Sequence, residues 1–596
     1  MNLNSLACLL CLIVTFSEDF DLVRAAERPN VILIICDDLN DYVEGFGGHP
    51  DAQTPNMARL ARSGMSFTQA HCNIPICGPS RASLFTGIYP HNSGCFGFER
   101  WDGYEVLKNS RTIMDYFRAN GYHTLGTGKL MHHMVRKEWD EYKNPADYGP
   151  FPFDGTDRVA HPDVPAPYRE IGAVDGSFGP LANLEGRTTP DGKPLLWQTG
   201  GWSHERALRV ASQDDRDLTA DELNGKWAVE RLQDFATKDN NKPFFMGVGF
   251  IRPHTPLIVP KRFFDQFPLD SIKLPVIKPG DIDDTHARSV RGLPNGQEPD
   301  SPRSEDMGSR LFTNLVASYE SRDEALRRFI QAYLASVASV DEQIGKILDV
   351  IDRSSLKDNT IIVLTSDHGW GMGQKDYLYK NSLWQESTRV PLIVRAPGVA
   401  KSGVIADHPV SLVDLYPTLV DLCDLTGKTT KNEKGHSLDG HSLQPFLANP
   451  NTDKWTGPDS ALTALYKWRM EYDPSKESYS LRSRDWRYIR YENGKEELYH
   501  NADDPHEWTN LADDPAQAMH LKLFREQLQT RLPTPGTVPP QPPWKPKQAA
   551  KPKAEADSET WKDKYFEKHP DADANKDGRL SWPEYKAYRA KVGEKR

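Results

Sequence analysis

Short, unbroken apolar runs alternate with stretches of helical periodicity over most of this chain. Val31–Cys36, Phe244–Phe250, Ile361–Leu364 and Val390–Val394 are apolar at nearly every position, so they predict strands covered on both faces, the habit of a mainly parallel sheet. Between them, Thr54-Pro55 opens one helix, Thr112–Ala119 forms a second that stops at Asn120-Gly121, and Thr219–Phe235 predicts a third. Leu326, Ile330, Tyr333, Val337, Val340, Ile344, Ile347 and Ile351 recur at helical spacing and predict a long helix whose stripe packs in the core. Strands alternating with helices define an α/β sandwich, and such folds gather ligands at the carboxyl ends of their strands.

The pattern changes near Leu462. From there to about Leu511, the segments Ser478–Arg482, Trp486–Tyr491 and Glu497–Tyr499 predict short strands joined by polar turns such as Glu492-Asn493-Gly494, and a helix is expected near Ala516–Leu532. These divide the chain into an α/β domain over residues 27–455 and a smaller antiparallel subdomain over 456–532. Residues 533–553 are rich in Pro and Lys and predict an extended linker. Beyond it, residues 554–596 hold the pattern of an EF-hand loop. Asp573, Asn575 and Asp577 stand at loop positions one, three and five, Gly578 at six, Arg579 at the carbonyl-ligand position seven, Leu580 at eight and Glu584 at twelve. This pattern predicts a second, structural Ca2+ and leaves room for a surface or matrix partner through that module.

Composition narrows the class. Charged residues at 26% and aromatics at 10% describe ordinary globular protein, and a net charge of −11 argues against general nucleic-acid binding. Leu6–Phe16 is too short an apolar run to span a bilayer, and Ala25-Ala26 precede Glu27, so residues 1–26 read as a signal peptide with no transmembrane segment elsewhere. The expected location is secreted or periplasmic, or a lysosome-like compartment in a eukaryote. Without the leader, Cys36, Cys72, Cys77, Cys95 and Cys423 remain. Their spacing defines no disulfide framework, and Cys72 with Cys95 stands as a candidate pair beside the alternative of buried free thiols.

The chemistry concentrates at strand ends. Asp37-Asp38 follows the Val31–Cys36 run, and Asp367-His368-Gly369 follows Ile361–Ser366, so two strands bring carboxylates and an imidazole to one edge. Adjacent aspartates repel unless a cation joins them, which suits a divalent, oxygen-rich site. Separately, Pro79 in Cys77-Gly78-Pro79-Ser80-Arg81 suits the first turn of a helix and puts Cys77 just ahead of a helix N-terminus, where free amides and Arg81 favour an anion.

Read on through Ala82-Ser83-Leu84-Phe85-Thr86-Gly87, that segment resembles the motif of the type I sulfatases, in which the cysteine is oxidised to formylglycine. Gly128-Lys129-Leu130-Met131-His132-His133 and Pro253-His254-Thr255-Pro256 resemble two further active-site elements of that family. Thr54-Pro55-Asn56, the Leu383–Pro391 stretch, Asp414–Thr418 and Glu507-Trp508-Thr509-Asn510-Leu511 extend the resemblance over about residues 29 to 512. His368, where many relatives have asparagine, and Lys380 point to the iduronate-2-sulfatase and choline-sulfatase-like branch.

The resemblance implies an alkaline-phosphatase-like α/β sandwich and a sulfuric ester hydrolase. It implies that Asp37, Asp38, modified Cys77, Asp367 and His368 hold one Ca2+, that Lys129 and Lys380 neutralise the sulfate oxygens, and that Arg81 helps to activate the hydrated aldehyde. His254 is then the acid for the departing alcohol, and His132 the base for the second step, with His133 structural. The implied partners are a sulfated carbohydrate and a formylglycine-generating enzyme. Alternatives are a small-molecule choline sulfatase, a phosphonate or phosphate ester hydrolase, and a secreted calcium-dependent binding protein. Residues Trp139–Asp217 are expected to form selectivity loops, with Trp197, Trp202, His204 and Arg206 either facing a sugar or packing the loop.

Overall fold

The computed structural model describes residues 28–201, 205–237, 242–286, 307–465, 473–538, 569–572, 588 and 591. The predicted leader, most of the 533–553 linker, the EF-hand loop from Asp573 to Glu584, and Trp202 and His204 lie outside the described residues. The chain divides into two compact units, Met1–Pro540 and Gln541–Arg596.

A nine-stranded sheet organises the larger unit. Its order runs Val404–Ala406, Met65–His71, Arg389–Arg395, Thr360–Ser366, Asn30–Asp37, Phe244–Pro253, His123–Gly128 and Glu141–Tyr142, with Val410–Ser411 also paired to Met65–His71. All four apolar runs become strands of this sheet. The pairing is parallel except at Arg389–Arg395, which runs antiparallel to both neighbours. That reversal matters for the site. Because the chain leaves Thr360–Ser366 and re-enters the sheet in the opposite direction, the whole connection from Asp367 to Thr388 stays at the carboxyl edge.

The central strand shows why the sheet forms here. Val31, Leu33 and Ile35 join one hydrophobic cluster and Ile32, Ile34 and Cys36 the other, as the alternation of side chains along a strand requires. All are fully buried, and each aliphatic side chain contributes about 1.5–3 kcal/mol of transfer free energy. The predicted core stripe lies on the helix Arg322–Asp352, capped by Ser321 Oγ accepting from Glu324 N at 3.2 Å, and all eight of its residues are buried against one face. Thr112 likewise caps Ile113–Ala119, and the chain turns away through Gly121 at φ +88°.

The antiparallel subdomain has four strands, Ala461–Ala464, Tyr479–Arg482, Trp486–Arg490 and Glu496–His500, with the helix Ala518–Arg531. Leu462, Tyr479, Leu481, Tyr488, Leu498, Phe524 and Leu528 cluster with Ile74, Ile76 and Phe96 of the α/β part. The two parts therefore share a core next to the Cys77 helix. Cys36, Cys72, Cys77, Cys95 and Cys423 are all free and buried, so the candidate Cys72–Cys95 disulfide is not formed. Burial alone accounts for thiols at these positions. No described helix is long and apolar enough to cross a membrane.

Candidate active site

The carboxyl ends of four strands and one helix N-terminus meet at a single buried cluster. Asn30–Asp37 delivers Asp37 and Asp38, Thr360–Ser366 delivers Asp367 and His368, His123–Gly128 delivers Lys129, and Phe244–Pro253 delivers His254. Asp38 adopts a left-handed φ of +64°. This breaks the strand alternation, so both neighbouring carboxylates face the same side. Lys129 arrives through Gly128 at φ +77°, where a Cβ would lie 1.9 Å from the Gly249 carbonyl, so only glycine permits this crossing.

Cys77 is the first residue of the helix Cys77–Thr86, one position further in than its sequence suggests. Its Sγ lies 3.2 Å from Lys380 Nζ, 3.3 Å from His368 Nε2 and 4.0 Å from Asp38 Oδ1. Lys380 Nζ also donates to both Asp38 oxygens, at 3.0 and 3.2 Å. Lys129 Nζ donates to Asp37 Oδ2. His368 Nδ1 donates to Gly369 O at 3.1 Å, and Nε2 is aimed at the cluster, 3.4 Å from Asp38 Oδ1. In the same way His254 Nδ1 donates to Thr255 O, and Nε2 faces Asp38 Oδ2 at 3.8 Å.

Arg81 is committed to holding this arrangement. Its Nε donates to Asp367 Oδ2 at 2.7 Å, Nη2 to Asp37 Oδ1 at 3.0 Å, and Nη1 to the carbonyls of Lys129 and Leu130. Ser80 Oγ donates to Asp367 O at 2.6 Å, and Tyr333 OH to Asp38 O at 2.7 Å. Four of the five Arg81 N–H donors are spent on these partners. Sequence reasoning gave it a charge beside the anion; its place is beneath the carboxylates.

The electrostatics follow from burial. Desolvation pushes Asp38 up to about 8 despite Lys380 and His368, whereas at Asp37 the charges of Lys129 and Arg81 overcome the same desolvation and hold it well below the usual carboxylate range. Burial, then Asp37, raises the Cys77 thiol. Burial and the nearby Lys380 hold His254 well below its ordinary range, so its ring is neutral near neutral pH. Three carboxylates and three cations, Lys129, Arg81 and Lys380, are thus packed together out of water, and burial is the main reason Asp38 is raised.

The chemistry of the donor set tests the fit of a metal ion. One donor atom each from Asp37, Cys77, Asp367 and His368 lie within 4.8 Å of one another, and the same holds for Asp37, Asp38, Cys77 and His254. Each set combines two carboxylates, an imidazole and residue 77, and Asp37 belongs to both; carboxylate oxygens of this kind suit a hard divalent cation. The residues present fit such an ion.

His132 stands at the edge of the cluster. Its ring lies against Phe98 at 5.0 Å and His133 at 5.0 Å, and burial with the charge of Lys129 lowers it to about 3. Trp197 packs, donating to Ala182 O at 2.6 Å, and Arg206 is an exposed partner of Asp147 at 3.7 Å. Sequence reasoning missed the aromatic flank: Lys129 Nζ sits 4.9 Å from the Tyr148 ring centre, and Lys380 Nζ sits 5.6 Å from Trp370 and 5.8 Å from Tyr379. Trp370 lies in the run after Asp367-His368-Gly369, so an aromatic three residues past a strand-end carboxylate was the available signal.

Comparison with known proteins gives this cluster its class. The Sulfatase family model matches residues 29–425, and a model of the C-terminal part of N-sulphoglucosamine sulphohydrolase matches residues 373–533. A sulfatase of Formosa agariphila is 33% identical over 504 residues, covering 82% of this chain and 84% of its own. Mouse iduronate 2-sulfatase is 29% identical over 430 residues, 67% of this chain and 70% of its own. Among solved structures, one in complex with its substrate D-glucosamine-2-N,6-O-disulfate superposes with a TM-score of 0.59 over 84% of this chain and 97% of its own, at 21% identity. A phosphonate monoester hydrolase from Silicibacter pomeroyi superposes with a TM-score of 0.60 over 84% of this chain and 95% of its own, also at 21% identity. The chain belongs to the sulfatase family. It is a sulfuric ester hydrolase with the family's α/β fold.

Proposed function

We propose that this enzyme removes sulfate from a sulfated sugar, using formylglycine made from Cys77 and a Ca2+ held by Asp37, Asp38, Asp367, His368 and the modified residue 77. The observation that carries this reading is Cys77 at a helix start within 3.3 Å of both Lys380 Nζ and His368 Nε2. When present, the ion supplies positive charge at the sulfuryl group, and the hydrated aldehyde supplies one hydroxyl to attack sulfur and a second through which sulfate is later released.

The chain's own groups do the rest. Lys129 and Lys380 flank residue 77 from two different loops, so their charges meet the sulfuryl oxygens from both sides in a site that excludes water. Arg81 fixes Asp37 and Asp367 against each other and is a positioning residue. His254 is neutral without substrate because of burial and Lys380. An anionic ester offsets that lysine's charge, so His254 takes up a proton as substrate binds and passes it from Nε2 to the departing alcohol oxygen. His254, at 7% exposure against 3% for Cys77 and Lys380, is the cluster member nearest solvent, which suits the side where the leaving group departs. His132, at the rim, is the base for the second step only if the hydrated aldehyde is reached through an intervening water.

A sugar ester is supported by relatives named for iduronate and ulvan substrates and by the disulfated glucosamine in a similar fold. His368 and Lys380 suit the branch of iduronate-2-sulfatases and choline sulfatases, so the sugar reading rests on those relatives. The leader places the enzyme outside the cytoplasm, after modification of Cys77 by a formylglycine-generating partner. The domain division at 455, the linker 533–553 and the EF-hand, with Ca2+ on Asp573, Asn575, Asp577, Arg579 and Glu584, complete the proposal. Sulfate release from a panel of sulfated glycans, beside turnover of a sulfate and a phosphate monoester of the same phenol, tests it. Faster phosphate cleavage, or no glycan desulfated, refutes it.

A further inference from the structure

The Glu507-Trp508-Thr509-Asn510-Leu511 segment lies in the antiparallel subdomain and touches no member of the Cys77 cluster, yet Glu507 is 1% exposed and holds φ +58°. Its contacts explain its burial. The Glu507 carbonyl accepts from Lys375 Nζ, and Glu507 Oε2 accepts from Gln385 N at 3.2 Å. Lys375 and Gln385 stand five residues before and five after Lys380. One residue of the small subdomain therefore grips both ends of the segment that carries this lysine.

Other buried groups reinforce the grip. Arg487 Nε donates to Glu507 Oε1 and its Nη1 to Leu383 O at 3.0 Å. Trp384 Nε1 donates to Glu497 Oε2 at 2.9 Å, and Lys375 Nζ also donates to Asp281 Oδ1 at 3.0 Å. Within the segment, Tyr377 OH donates to the Lys380 carbonyl at 2.7 Å. Burial acts to raise Glu507, but Arg487 and Lys375 outweigh it and keep the carboxyl below its ordinary range, hence charged. Backbone at left-handed φ at Lys375, Asp376 and Asn381 marks a segment that does not hold its shape by regular secondary structure. It needs external ties.

We propose that Glu507 is a positioning residue for Lys380: the antiparallel subdomain, through Glu507, Arg487 and Glu497, clamps the Lys375–Gln385 segment so that Lys380 Nζ stays within reach of residue 77 and Asp38. This rests on the reading of Lys380 as part of the active site. It makes the subdomain part of the catalytic apparatus, acting at a distance through one lysine. A side chain displaced by about 1 Å can cost about 10²-fold in rate.

The test is a double-mutant cycle in the full chain, with an aryl sulfate as substrate and enzyme concentration raised to keep residual turnover measurable. Glu507→Gln removes the charge that pairs with Arg487, so Trp384→Phe, which loses the bond to Glu497 and keeps an aromatic ring beside Lys375 and Tyr377, is measured beside it. The expected result is a fall in kcat/KM of about 10–100-fold for Glu507→Gln and about 3–10-fold for Trp384→Phe, carried by kcat. In a Lys380→Ala background the same changes shift kcat/KM by less than about 2-fold, because coupled residues are not additive. An equal loss in both backgrounds, with lowered thermal stability, makes the clamp merely structural and overturns the proposal. A Lys380→Ala enzyme as fast as the parent refutes the active-site reading itself, a separate outcome.

Discussion

Replacing Arg81 with lysine keeps the positive charge and removes the planar fork, so it isolates the buttressing role. The guanidinium makes two bonds to carboxylates, at 2.7 and 3.0 Å, and two to carbonyls, with all partners buried. A lysine ammonium is a point donor and reaches one of the two carboxylates, not both. One charged hydrogen bond is lost, worth about 1.5–3 kcal/mol, and at least one buried carbonyl loses its partner at a cost of about 1–3 kcal/mol. The sum, roughly 2.5–6 kcal/mol, is a large share of a typical folding free energy of about 5–15 kcal/mol. Asp37 and Asp367 also separate, which loosens the metal ligands.

Calorimetry and initial rates on an aryl sulfate read both effects. The Arg81→Lys enzyme should melt well below the parent, need more Ca2+ for half-maximal activity, and lose about 10²-fold or more in kcat/KM. A variant with the parent's melting temperature whose only defect is weaker inhibition by inorganic sulfate would refute this reasoning and make Arg81 an anion ligand.

Four further outcomes follow from the structure. His254→Ala should slow an alkyl sulfate by about 10²–10⁴-fold and a nitrophenyl sulfate far less, since nitrophenolate leaves without a proton; equal losses on both exclude its role as acid. Because His254 is depressed in the free enzyme, kcat/KM for the alkyl ester should rise as pH falls, and the variant should lose that rise. His91, buried with Nδ1 unpartnered, is held at about 3 by burial and Arg531, against an ordinary 6.5. Above pH 6.5 both folded and unfolded forms are neutral and stability is intact; below it only the unfolded chain takes the proton, so about 1.4 kcal/mol is lost per pH unit down to about 3. His91→Phe should flatten that slope in acid denaturation, and an unchanged slope contradicts the assignment. Chelation should abolish turnover and added Ca2+ restore it; full activity after chelation contradicts the metal site.

The chemistry was legible where it sits at the ends of strongly apolar runs. Asp37, Asp38, Asp367 and His368 could be placed together because a fully buried strand has one carboxyl end, and ligands collect there. The direction of Arg389–Arg395 was not legible, since an apolar run reads the same both ways. That reversal is why Lys380, in a connection with no periodicity, returns to the site. The strand Ala461–Ala464 has one large apolar residue, Leu462, between alanines and a threonine, too weak a pattern to signal itself. Arg81 was visible as a charge but not as a buttress, because its partners come from positions 37, 129, 130 and 367. Glu507 was legible only as part of a family-like segment, with nothing local to mark its task. Its role appears only when residues 375, 385 and 487 are seen around it.

The central claim is that Cys77 is the precursor of the reacting group, and the mass of the peptide containing it, from protein made in its own host, tests this directly. The account predicts a peptide lighter than its thiol form by the replacement of the sulfhydryl carbon's substituents with an aldehyde, in protein that releases sulfate. A fully active preparation whose Cys77 is an unmodified thiol throughout would contradict it.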